Sequence, residues 1–125
     1  MDQERRARAT RIYREVTTAD PLPPDDAYLE TTLDSVFGDV WTRPGLGRKI
    51  RRFVSLTCAA CDGAAVASES HMRAALTSGD VSRQEMLEFV LHFAYYAGWP
   101  RASALEAAYY QAISRIDAEA SGPDT

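Results

Sequence analysis

A stretch near the carboxyl end, residues 86–99 (MLEFVLHFAYYAGW), limits most strongly what this chain can fold into. Glu88 is its only strongly charged residue, and His92 is the one other group that titrates near neutrality. Wound at about 100° per residue, it places Met86, Phe89, Val90, Phe93 and Ala97 on one arc and Leu87, Leu91 and Ala94 over much of the opposite one. A helix that is apolar nearly all round is buried on most sides. A chain of 125 residues has little material with which to surround it. The sequence therefore predicts a homo-oligomer.

The rest of the chain fits the same class. Between residues 47 and 111 no pattern of period two appears. Helical patterns appear instead over 48–61, 66–78 and 82–98, with Gly63 and Gly79 as stops. Ser82 stands three residues before Glu85, the spacing of a capping box. Pro100 suits the first turn of a last helix running to about Asp117. Residues 1–18 suit a charged helix, and the prolines at 21, 23 and 24 break it. A short helix over 27–37 is expected to end at Gly38, followed by a loop at 41–46. The expected fold is all-α, a compact bundle of about six helices with short connections. Residues 1–26 read as an N-terminal helix and proline-rich arm, 27–120 as the helical domain, and 121–125 as a frayed tail.

Composition narrows the function classes. With 46% apolar and 26% charged residues the chain is globular. A net charge of −4 argues against nucleic-acid or anionic-membrane partners, which need a positive field. No apolar run reaches the roughly 18 residues of a membrane span. Residues 1–15 contain no apolar signal segment, so the cytoplasm is the expected compartment. Cys58 and Cys61 have C-x-x-C spacing, but no second cysteine pair completes a zinc site, and no metal is expected.

Several ionisable groups stand out. Glu88 and His92 are four apart and share a helix face, with Glu85 and Tyr96 on the same stripe. In apolar surroundings such a pair suits acid–base work; a structural ion pair or a subunit contact fits the spacing as well. His71 sits among Ala67, Ala74 and Ala75, where small neighbours leave room around an imidazole suited to proton transfer; it also reads as a half-exposed surface histidine. Arg51 or Arg52 can clamp a carboxylate with forked donors, or belong to a solvated basic cluster with Arg48 and Lys49. Trp41 and Arg43 flank the loop, where the indole walls a pocket or plugs the core.

Taken in order, these pieces resemble the carboxymuconolactone decarboxylase family. They are GDVWTRPGL at 38–46, Arg51 before an apolar helix, HMRAAL at 71–76 with Gly79, then Glu85, Glu88 and HFAYYAGWP at 92–100. The resemblance covers roughly residues 37–108, with Asp80 as a one-residue insertion. It implies an all-α, alkylhydroperoxidase-D-like fold assembled as trimers or hexamers. It also implies cofactor-independent decarboxylation of a small carboxylate or lactone. His71 would be the general acid/base, with Glu88 and His92 tuning the pocket. Arg51 would bind the substrate carboxylate, and Trp41, Arg43 and Tyr96 would line the site. A sister branch of thiol enzymes carries its redox pair just ahead of the histidine. Here Cys58 and Cys61 fall earlier, within the first core helix, where buried thiols are inert. Three other functions stay open: a biosynthetic tailoring enzyme (isomerase, hydrolase or cyclase), a thiol peroxidase or disulfide reductase using Cys58 and Cys61, and a non-catalytic oligomer that binds a small acid.

Overall fold

The computed structural model describes residues 2–122, and every regular element among them is helical. In chain order these are α1 (Asp2–Thr17), α2 (Ala27–Thr31), a π-helix (Thr32–Val40), α3 (Arg48–Cys61), α4 (Ala65–Thr77), α5 (Arg83–Ala97) and α6 (Trp99–Ser121). The expected all-α class and six α-helices are present. Residues 123–125, most of the expected frayed tail, lie outside the described residues. The chain divides into two compact units, with the boundary between Arg51 and Arg52 in the first turn of α3.

In the first unit α1 packs on the π-helix. The buried residues of α1 are Ala9, Ile12 and Val16, spaced as one helical face requires. The opposing element departs from expectation. The helix does not end at Gly38; it continues to Val40 as a π-helix, closed by the Trp41 amide donating to the Val36 carbonyl at 3.0 Å. Leu33, Phe37 and Trp41 are buried at a strict spacing of four. Gly38 is buried against α1, where a Cβ would stand 3.1 Å from the Ala9 Cβ, so the glycine permits close approach rather than a stop. Tyr13 meets Phe37 edge-on at 4.6 Å, and Phe37 stacks with Trp41 at 6.4 Å. Ion pairs ring this small core. Arg6 grips Asp34 with two bonds of 2.7 and 2.9 Å, and Arg5 binds Asp39 at 2.8 Å. The Asp26 carboxylate caps α2 by accepting from the Leu29 amide at 2.8 Å.

In the second unit α4 and α5 both pack on α6. Leu56, Met72, Val81, Met86 and Leu105 are its largest fully buried side chains. The capping box at Ser82 and Glu85 is formed in both directions. Gly79 takes a positive φ of 80° after α4, and Gly98, at 99°, turns α5 directly into α6, which carries Pro100 in its first turn. On α5, Met86, Val90, Phe93 and Ala94 are buried, while Leu87, Leu91, Tyr95 and Tyr96 remain exposed, as does Trp99 at the start of α6. The expected all-round burial is thus met on one side within this chain. No helix among the described residues is long and apolar enough to cross a membrane.

Candidate active site

The expected site residues fall in both units. Trp41, Arg43 and Arg51 belong to the first; His71, Glu88, His92 and Tyr96 belong to the second.

In the first unit Trp41 is buried and stacked on Phe37, so its ring plugs the core. Arg43 is exposed, and its carbonyl accepts from Arg51 Nη2 at 3.0 Å. Arg51 Nε is buried with no hydrogen-bond partner among the described residues. A buried guanidinium nitrogen without a partner is costly, and a carboxylate oxygen is the acceptor it suits best.

In the second unit Glu88 and His92 lie on one face of α5, as their spacing requires. With Phe53, Glu85 and Phe89 they line an open groove of about 350 Å³. Phe53 and Phe89 lie 5.0 Å apart at its apolar side, and Tyr96 stacks on His92 at 5.0 Å, nearly parallel. Glu88, His92 and Tyr96 are all exposed, Tyr96 at 85%. The apolar surroundings expected around Glu88 and His92 are absent within this chain, because the groove opens to solvent. Its two carboxylates also make it a poor receptor for an anion.

His71 is placed differently. It is half-buried on α4 and is not among the residues lining that groove. Burial pushes its proton affinity below the ordinary value of 6.5, and the positive charge of Arg52 pushes the same way. The imidazole is therefore neutral at pH 7. Arg52 is the arginine that turns inward, 3% exposed, with its Nε donating to Asp80 Oδ2 at 2.8 Å. The sequence left Arg51 and Arg52 open; the one local signal was the spacing of four that puts Arg52 with Leu56 and Ala60 on the buried stripe of α3. The Asp80 partnership had no local signal, because the two residues lie 28 apart in sequence. Asp80, in the turn after Gly79, neutralises a buried cation.

The thiols correct another expectation. Cys58 and Cys61 are both free and exposed, since they lie off the Arg52–Leu56–Ala60 stripe. Among the described residues no cluster of three histidine, cysteine or acidic side chains could hold a metal ion.

Comparison with known proteins puts this arrangement in context. The model of the Carboxymuconolactone decarboxylase family matches residues 26–110. A 4-carboxymuconolactone decarboxylase of Acinetobacter baylyi is 37% identical over 68 residues, which are 54% of this chain and 50% of that protein. A nitrosuccinic acid decarboxylase of Metarhizium robertsii is 38% identical over 78 residues, 62% of this chain and 52% of that protein. The chain thus spans about half the length of these curated relatives. The family match covers most of the sequence, including His71 and the α5 stripe, and the chain belongs to the carboxymuconolactone decarboxylase family.

Proposed function

We propose that this chain acts as a decarboxylase on a small carboxylate, with His71 moving the proton. The observation that carries the reading is the half-buried imidazole of His71 held neutral beside the buried Arg52. The names of the two relatives share a chemical logic. Each substrate carries a carboxyl group together with an electron acceptor, a lactone in one and a nitro group in the other. When the C–CO₂ bond breaks, its electron pair flows towards such an acceptor. The protein must then steady the anion and supply one proton.

His71 suits both steps. A bound carboxylate brings negative charge, raises the proton affinity of the imidazole and favours uptake of a proton. As CO₂ leaves, that proton passes from the imidazolium to the carbon, and His71 is neutral again. Arg52 adds positive potential for the developing anion. Arg51, with its unpartnered Nε, is the proposed carboxylate donor. Arg43 and Trp41 keep supporting roles, and Glu88, His92 and Tyr96 tune the pocket or meet a partner subunit. No cofactor is needed where the substrate holds its own electron acceptor. The substrate class is a small carboxylated lactone or a comparably activated acid, and a biosynthetic tailoring role is compatible with the same residues.

The assembly is proposed to be a homo-oligomer, a trimer or hexamer. The exposed row of Leu87, Leu91 and Tyr95 on α5, with Trp99 at the start of α6, supports it, because a protein surface seldom leaves so many large apolar groups together. The exposed thiols give a redox reading one specific observation in its favour. Peroxide-dependent loss of Cys58 and Cys61 thiols, with no CO₂ release, would establish that alternative.

The test is His71→Ala assayed by CO₂ release from 4-carboxymuconolactone and from nitrosuccinic acid. The expected loss is about 10²–10⁴-fold with helical content and assembly unchanged. Full activity in that variant, or no release from either acid by the unmodified protein, would contradict the reading.

A further inference from the structure

A second cavity in the second unit uses none of the seven expected site residues. It encloses about 270 Å³ between the end of α3, the start of α4 and one face of α6. Its wall is largely alanine, including Ala104 and Ala108, which leaves room for a flat apolar body. Three polar side chains reach it, from Ser68, Arg101 and Gln111. Ser68 is 6% exposed, and its hydroxyl makes no hydrogen bond among the described residues. The hydroxyl of a buried residue that opens on a cavity without a protein partner is placed to bond a ligand.

Two positive features converge there. Arg52, Arg73, Arg83 and Arg115 each have a carboxylate partner, so among the described residues of this unit Arg101 is the one arginine without one. The first turn of α4 also opens at this place, where Gly63 and Ala65 line the cavity. Its N-cap is Ala64, which offers no side-chain acceptor, so the amides of that turn are not capped from within. A helix start of this kind favours an anion. We propose that this cavity is a second binding site, for a small organic carboxylate. The charged head would lie between Arg101 and the open turn of α4, the apolar body on the alanine wall, and a polar substituent against Ser68.

The experiment is a ¹H–¹⁵N NMR titration of the full chain with benzoate, using benzamide as the neutral comparator. Benzoate should shift the amides of residues 65–68 and of Ala104 and Ala108 saturably. Benzamide, or benzoate added to Arg101→Gln, should bind about tenfold more weakly, the loss of one charge-assisted contact. Arg101 is exposed, so its replacement leaves the core intact. Ala104→Leu should block the wall and abolish the shifts. His71→Ala should leave them in place, which separates this site from the proposed catalytic one. Absence of saturable shifts, shifts confined to His71 and α5, or equal affinity in Arg101→Gln would overturn the proposal.

Discussion

The two units are stabilised by different means. The first gathers its helices round a small cluster of Ile12, Val16, Phe37 and Trp41 and encloses it with arginine–carboxylate pairs. The second buries a broad apolar core drawn from all four of its helices and admits one buried cation, Arg52. The difference has a functional side. An extensive dry core can hold an imidazole away from water and leave a guanidinium beside it, which shifts proton affinity. A ring of exposed ion pairs holds no group away from water, and solvent screens much of what it adds to stability.

The largest expected break in this comparison comes from the second core. Leu105→Ala should cost about 2–5 kcal/mol, since Leu105 is almost wholly buried and its loss leaves a cavity. Denaturant unfolding followed through Trp99 in a Trp41→Phe background reads that unit. A cost below about 1 kcal/mol would show the core to be loosely packed. Next comes Gly38→Val, at about 1–3 kcal/mol, because the added carbon meets Ala9 at 3.1 Å. Trp41 fluorescence in a Trp99→Phe background should report it. An unchanged midpoint would mean that the π-helix and α1 do not approach so closely. Asp80→Asn should cost about 2 kcal/mol, less than for a fully enclosed pair because Asp80 is a third exposed. Arg6→Gln should cost less again and reduce the sensitivity of the first unit to salt.

The smallest effect is the dependence on pH, and the units differ in where it falls. Arg6 holds the Asp34 carboxyl below its ordinary value of 3.8. That contribution is present above 3.8 and is lost as pH falls through the lowered value. His71 is also lowered, from 6.5, so its neutral form contributes fully above 6.5 and the contribution fades as pH falls below that point. Acidification from pH 7 to 5 should therefore weaken the second unit before the first. The opposite order in the two single-tryptophan backgrounds would contradict the comparison.

Much of the second unit was legible in the sequence. The span of α3 was read to the residue, α4 and α5 to within one, and the capping box and the Glu88–His92–Tyr96 stripe formed as local spacing requires. These features depend on residues three or four apart. What escaped depends on contacts far along the chain. The continuation of the helix through Gly38 brings that residue against Ala9, the exposure of the thiols depends on which face of α3 the core selects, and the inward Arg52 is paired with Asp80. The division at Arg51 was hidden because α3 runs through it without a break in its pattern.

The central claim is that His71 rests neutral in the native protein because it is buried beside Arg52. An NMR titration of the imidazole tests it directly, and with two histidines in the chain, His92→Gln leaves a single resonance to follow. The account predicts a titration midpoint below 6.5 that rises when a substrate carboxylate binds. A midpoint at or above 6.5, unmoved by ligand, would contradict it.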